Sequence, residues 1–326
     1  MNIIFWGTPD YSVESLKSLI QSHHEISAVI TQPDKKRSRG SKLIASPIKS
    51  IALEHDIPVF TPNKIKNNIS FIETLKSFNS DVFVVIAYGK ILSSEILSIP
   101  RYGCWNAHAS LLPRWRGAAP IHWALLKGDS VTGVGIIKMD IGLDTGDLLL
   151  EEQVQINETD NLHTLSQKLS ILSSNLICKA LEIIDDEPNA VNSKLTPQTL
   201  KDLEIKYARM INKEDCKIDF NDCAENILRK VKGLFPRSFI MHNGKVLKIL
   251  NVRLLSEKEI KKTDITYAKN NINNIGKVLE IFKNEGVVIA TKTKPILIKE
   301  IKLEGKNISK NNQLIQQLNL KKGQKI

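Results

Sequence analysis

Apolar positions recur along this chain with two periods, and the switch between them divides it. Residues 2–6 form a short apolar run that stops at Gly7-Thr8-Pro9-Asp10. Glycine and proline end a strand, and Asp10 or Ser12 can cap the helix that follows. Val13, Leu16, Leu19 and Ile20 recur at helical spacing, and Ile26 to Ile30 return to a strand. Strand, helix and strand in that order imply a right-handed parallel unit. A helix over Pro47–His55, a strand at Pro58–Phe60 and a polar amphipathic helix over Ile65–Phe78 continue it. Asp81 to Ala87 is almost wholly apolar, the pattern of a central parallel strand buried on both faces, and it ends at Tyr88-Gly89-Lys90. Beyond it the pattern predicts a helix over Gly117–Leu126 and strands at Gly133–Met139 and Leu148–Ile156. Asp160 then opens a helix of about 25 residues with one leucine-rich face.

From Asp185 the pattern breaks. Residues 190–206 are polar, carry Pro197 and read as a linker. After it come one clear helix, Ala224 to Val231, and several short strands, with a hairpin signal at His242-Asn243-Gly244-Lys245. The fold class is α/β: a doubly wound, mostly parallel, Rossmann-like sheet over 1–189, then a second, smaller domain over 207–326 that reads as a β barrel. The GxGxxG pattern is absent at Gly7, which argues against a nicotinamide site.

Composition changes the picture in one respect. No apolar run approaches the twenty residues that span a bilayer, and the N-terminus reads as a strand, with no signal peptide. Cys104, Cys178, Cys216 and Cys223 lack CxxC spacing, which suits a reducing cytoplasm without structural zinc. The net charge of +11 is unevenly placed. Residues 1–189 carry 18 Lys and Arg against 21 Asp and Glu; residues 190–326 carry 28 against 14. A basic half beside a mildly acidic one points to a polyanion, most often nucleic acid. Lys-rich composition alone would load both halves alike. Within the acidic half, Lys35, Lys36, Arg37, Arg39 and Lys42 crowd one loop around Gly40, either a solvated loop or a phosphate contact.

The chemistry centres on Asn106-Ala107-His108. On an extended segment, side chains two apart share a face, so an amide and an imidazole point at one volume. Downstream, Asp140-Ile141-Gly142-Leu143-Asp144-Thr145-Gly146-Asp147 places carboxylates on a glycine-broken loop. Acyl transfer to an amine needs donors aimed at an oxyanion and a path for the amine proton. Asn106 and His108 can supply the donors, and Asp144 beside the imidazole would favour its charged form. Ser110 as a nucleophile lacks the GxSxG elbow. A metal held by His108 and the aspartates lacks any HxH or HExxH pairing, so no metal is expected.

The segment Asn106 to Pro120 and the segment Gly142 to Asp147 resemble the two signatures of the folate-dependent formyltransferases, in the branch that acts on methionyl-tRNA. Gly7-Thr8-Pro9, Thr31 to Asp34, Ala87-Tyr88-Gly89 and Tyr207 to Asp215 fit the same family, so the resemblance runs nearly the whole chain in order. It implies an N-terminal domain that binds 10-formyltetrahydrofolate as formyl donor and a C-terminal barrel of OB type. The acceptor would be the amine of methionine on initiator tRNA, giving N-formylmethionyl-tRNA for translation initiation. Carried onto this chain, Asn106, His108 and Asp144 would be catalytic. The folate would lie against Tyr88, Gly89, Ile91, Leu92, Ser110, Leu111, Leu112, Pro113 and Asp140. Arg39, with Lys35, Lys36, Arg37 and Lys42, would meet the tRNA. A cytoplasmic monomer with no membrane partner is implied. The alternative is a related enzyme that formylates a nucleotide-sugar amine; the basic second half favours RNA.

Overall fold

The computed structural model describes residues 1–36, 43–262 and 274–326. Contacts divide them into two compact units. Unit 1 comprises Met1–Pro120, Ser130–Ile156 and Thr164–Arg209; unit 2 comprises Ile121–Asp129, Asn157–His163 and Met210–Ile326.

In chain order, β1 (Asn2–Gly7), α1 (Val13–Ile20) and β2 (Glu25–Ile30) form the expected parallel unit. A two-residue ladder follows, β3 (Lys35–Lys36) with β4 (Leu43–Ile44). Next are α2 (Pro47–Glu54), β5 (Val59–Phe60), α3 (Ile69–Ser77), β6 (Val82–Ile86), α4 (Ser94–Leu97) and β7 (Cys104–His108). The chain continues through α5 (Pro120–Lys127), β8 (Val131–Lys138), β9 (Leu148–Gln155) and the long α6 (Leu162–Asp186). The sheet order is β5-β2-β1-β6-β7-β8-β9. Five strands run parallel, and β8 and β9 turn antiparallel at one edge.

Two helices start later than the apolar pattern alone predicts. The Asn68 side chain accepts from the Phe71 N–H and starts α3 at Ile69, so Ile65 is core but not helix. The segment before α5 is held in strand-like pairing, Arg116 against Tyr207, so the helix begins at Pro120. One face of the sheet packs Ile4, Trp6, Ala28, Ile30, Phe83, Val85 and Cys104 into a single apolar cluster with α3. Trp6 sits edge-on to Tyr88 at 5.1 Å and to Phe71 at 6.2 Å, contacts worth about 0.5–1.5 kcal/mol each beyond burial.

Unit 2 contains α7 (Ala224–Gly233), β10 (Phe239–His242), β11 (Lys245–Leu254), α8 (Glu257–Lys262), β12 (Val278–Phe282), β13 (Gly286–Ile289), β14 (Ile296–Leu303), β15 (Ile308–Lys310) and α9 (Asn311–Leu318). Its sheet is antiparallel throughout, ordered β10-β11-β14-β13-β12 with β15 beside β14, a small barrel-like arrangement. Register shifts near Asn251 in β11 are the bulges by which such sheets bend. Among the described residues no helix is long and apolar enough to cross a membrane. All four cysteines are free thiols.

Also in unit 2, burial, and after it the Arg237 cation, hold the His122 imidazole down at about 4. The unfolded chain, with an ordinary imidazole near 6.5, therefore takes up this proton first as pH falls. The stability linked to His122 is complete above about pH 6.5 and declines as pH falls toward 4. His24 and His242 shift the same way through burial. We expect His122→Gln to flatten part of that slope, measured by denaturant unfolding at a series of pH values. An unchanged slope would refute the assignment.

Candidate active site

The strand β7 sets the site. It pairs parallel with β6, Val85 beside Asn106, and antiparallel with β8, His108 beside Gly135. Strand alternation buries Trp105 on one face and puts Cys104, Asn106 and His108 on the other. Asn106 is half-buried and His108 is 5% exposed.

Beyond β7 the chain turns tightly. The Ser110 N–H donates to the His108 carbonyl at 2.9 Å, and the Ser110 hydroxyl donates to the Arg114 carbonyl at 2.7 Å. Ser110 is wholly buried, which leaves its hydroxyl as a turn-former. Trp115 follows with φ +65, a left-handed conformation costing a non-glycine residue roughly 1–2 kcal/mol. That conformation belongs to a backbone whose Trp115 carbonyl lies 3.0 Å from His108 Nε2. A carbonyl only accepts, so Nε2 carries the proton and Nδ1 faces the other way.

What Nδ1 faces is Asp144, with Oδ2 at 3.6 Å, too far for a direct hydrogen bond. The same carboxylate accepts the Gly117 N–H at 2.7 Å on Oδ2 and Asn106 Nδ2 at 3.4 Å on Oδ1. Asn106, His108 and Asp144 therefore converge. Asp144 also sits at φ +52. Its loop is pinned by Asp140, whose Oδ1 accepts from the Gly142 N–H at 3.1 Å and the Thr145 hydroxyl at 2.6 Å. A neutral imidazole with Nδ1 bare toward a carboxylate leaves both acceptors wanting a shared donor. An amine N–H or a protonated imidazole would satisfy them.

The residues expected to meet folate divide into two groups. Tyr88, Leu92 and Leu112 have core side chains, and the Tyr88 carbonyl already accepts from Thr8 and from Gln32. Burial pushes the Tyr88 phenol up to about 12. Pro113 is buried and Leu111 half-buried. Exposed are Gly89, at φ +82, Ile91 at 79%, and Asp140, whose neighbour Ile141 is 76% exposed. Of the expected RNA-contacting residues, Arg37, Arg39 and Lys42 lie outside the described residues, and only the backbone of Lys35 and Lys36 is described.

Among the described residues one further group has metal-ligand spacing: His23, His24 and Asp185, within 4.8 Å of one another. The Met1 ammonium lies 3.2 Å from His24 Nδ1 and 3.8 Å from Asp185, so a cation already sits there. Gly117 and the Trp115 carbonyl, both within residues 106–120, act through backbone atoms that residue type does not mark. Arg116 and Gln198, whose side chains meet at 2.7 Å, carry no sequence signal for that pairing. Nothing in the polar stretch around Gln198 marks it.

A family model described as formyl transferase matches residues 1–181, and one described as formyl transferase, C-terminal domain, matches residues 210–319. This chain belongs to the formyl transferase family. Among similar formyl transferases, methionyl-tRNA formyltransferase of Prochlorococcus marinus (strain MIT 9215) is 59% identical, covering 98% of this chain and 97% of its own. The protein of the same description from Synechococcus sp. (strain CC9311) is 41% identical, covering 98% and 97%. Two solved structures share the fold. HypX from Aquifex aeolicus in complex with tetrahydrofolic acid is 16% identical with TM-score 0.60; the match covers 97% of this chain and 47% of HypX, so this chain spans about half its length. An N-formyltransferase from Helicobacter canadensis in complex with folinic acid and dTDP-3-aminofucose is 18% identical, covers 91% and 98%, and has TM-score 0.59.

Proposed function

We propose that this formyl transferase moves the formyl group of 10-formyltetrahydrofolate to the amine of methionine esterified to initiator tRNA, in the cytoplasm. Identity of 59% over nearly the full length of a methionyl-tRNA formyltransferase carries this reading. The convergence of Asn106, His108 and Asp144 supports it.

The donor supplies a formyl carbonyl on a nitrogen that can leave as an amine. Around that carbonyl the protein's groups take distinct roles. Asn106 Nδ2 is the amide donor for an oxygen that becomes negative as the acceptor nitrogen adds. His108, fixed by the Trp115 carbonyl, presents Nδ1 on the same side. An acceptor amine approaching the open side of His108 Nδ1 and Asp144 Oδ2, which lie 3.6 Å apart, can donate to either, and its proton can pass from there to the departing nitrogen. No covalent intermediate on the protein is required. The new C–N bond forms first, giving a tetrahedral centre; as it collapses the old C–N bond breaks, and the proton lost by the acceptor amine ends on the leaving nitrogen.

The test is transfer from labelled 10-formyltetrahydrofolate to charged initiator tRNA. Formylation of an amino-sugar nucleotide with none of the tRNA would overturn the reading. For the loop, Arg39→Ala should raise KM for the tRNA about tenfold or more, with folate binding unchanged. TRNA affinity should also fall steeply with salt, as expected where cations displace counterions from phosphates. Weakened folate binding with normal tRNA use would contradict the loop's role.

A further inference from the structure

Gln198 lies in the polar stretch between the two homology regions, yet it is 2% exposed. Its Oε1 accepts from Arg116 Nε at 3.0 Å and from Nη2 at 2.7 Å. Its Nε2 donates to the Asp144 carbonyl at 2.9 Å and to the Gly146 carbonyl at 2.7 Å. Both donors and both lone pairs of the amide are used. The strand-like pair Thr196–Leu148, with hydrogen bonds of 2.9 and 2.8 Å, fixes the segment that carries Gln198.

These contacts close a ring around the reacting centre. Arg116, itself 8% exposed, lies between Trp115, whose carbonyl holds His108, and Gly117, whose N–H holds Asp144. Its side chain returns through Gln198 to the backbone of Asp144. Asp144 is thus gripped at both ends, by Gly117 on its carboxylate and by Gln198 on its carbonyl. Left-handed backbone carries a modest cost for a non-glycine residue, smallest for Asn and Asp. Asp144 is such a residue, and the Gln198 amide spans the carbonyls on either side of Thr145.

We propose that Gln198, with Arg116, is a positioning residue. It sets the distance between the Asp144 carboxylate and the His108 ring through the loop backbone, without touching substrate. The assignment rests on Asn106, His108 and Asp144 being the reacting centre. The competing role is simpler: Gln198 merely satisfies a buried guanidinium.

Two variants of matched size separate these roles. Gln198→Met removes both functions. Gln198→Glu keeps acceptors for Arg116 but loses the donors to the two loop carbonyls. If Gln198 positions Asp144, both variants lower kcat about 30- to 100-fold, as expected for misplacement near 1 Å, with KM for both substrates nearly unchanged. Both also speed hydrogen exchange of the Gly117 amide about tenfold or more, because its acceptor is Asp144. In an Asp144→Asn background, Gln198→Met adds less than about twofold to the loss. Wild-type kcat and Gly117 protection in Gln198→Glu would overturn the proposal, as would a full additional loss in the Asp144→Asn background. The exchange measurement needs no turnover. Failure of the unsubstituted protein to formylate tRNA would therefore sink the proposed function while the exchange result still decides this one.

Discussion

His108→Ala is expected to lower kcat for methionyl-tRNA by about 10²- to 10⁴-fold, the range for loss of a positioned acid–base group. The geometry explains why no neighbour substitutes for it. The ring bridges two fixed points, the Trp115 carbonyl at 3.0 Å and the Asp144 carboxylate at 3.6 Å, and alanine reaches neither. The Trp115 carbonyl would lose its hydrogen bond to His108, a net contribution of about 0.5–1.5 kcal/mol. Some thermal destabilisation should therefore accompany the kinetic loss without accounting for it. Affinity for tRNA should stay within about twofold, since binding to a polyanion rests on distributed cations. Steady-state kinetics, a melting curve and filter binding on one preparation separate the three effects. A variant within tenfold of wild-type kcat would remove His108 from the proposed chemistry.

Gly146→Ala should produce a large loss through the loop instead of the ring. A Cβ at Gly146 would overlap the Lys138 carbonyl oxygen and press on the Lys138 carbonyl carbon at 2.9 Å. These are backbone atoms at the end of β8, so relief must come from the loop itself. Gly146 is buried, and its own carbonyl accepts from Gln198 at 2.7 Å. Shifting it pulls Asp144, two residues earlier, away from Gly117 and His108. We expect kcat to fall about 10²-fold, the scale of a 1 Å misplacement. Overpacking should cost a further 1–3 kcal/mol of stability, or several degrees of melting temperature in a chain of this size. Wild-type turnover with a normal melting curve would show that the loop yields without moving Asp144.

Much of the architecture was legible because burial writes itself into apolar spacing. Val82 to Ile86 are buried throughout, as a run with almost no polar residue requires. The leucine face starting at Leu165 matches the buried face of α6 over its 25 residues. Less legible were the starts of α3 and α5, where a capping Asn68 and a backbone pairing with residue 207 decide the boundary. The short α9 and β15 also lacked a clear pattern: α9 buries only Leu314 and Leu318.

The same distinction holds for the site. Asn106 and His108 could be paired from strand alternation, a local rule. The convergence of Asp144 could be suspected but not placed, since its reach depends on left-handed backbone at Trp115 and Asp144. Gln198 was illegible because its work consists of four hydrogen bonds to residues 52 to 82 positions away. No periodicity reports such contacts, and a glutamine among polar neighbours looks solvated.

The division of the chain bears on how it can be cut. Residues 121–129 and 157–163 precede most of the unit they belong to, which resumes only at residue 210. Within that unit, a Cβ on Gly233 of α7 would meet Leu125 at 3.1 Å and the His122 carbonyl at 3.3 Å, so the two helices are in close contact. Severing the chain after residue 209 therefore does not yield two self-sufficient halves. The downstream fragment would lack α5, and the upstream one would carry Leu125 without the α7 contact at Gly233. During synthesis the same arrangement means that the contact of α5 with α7 can form only after about a hundred further residues have been made.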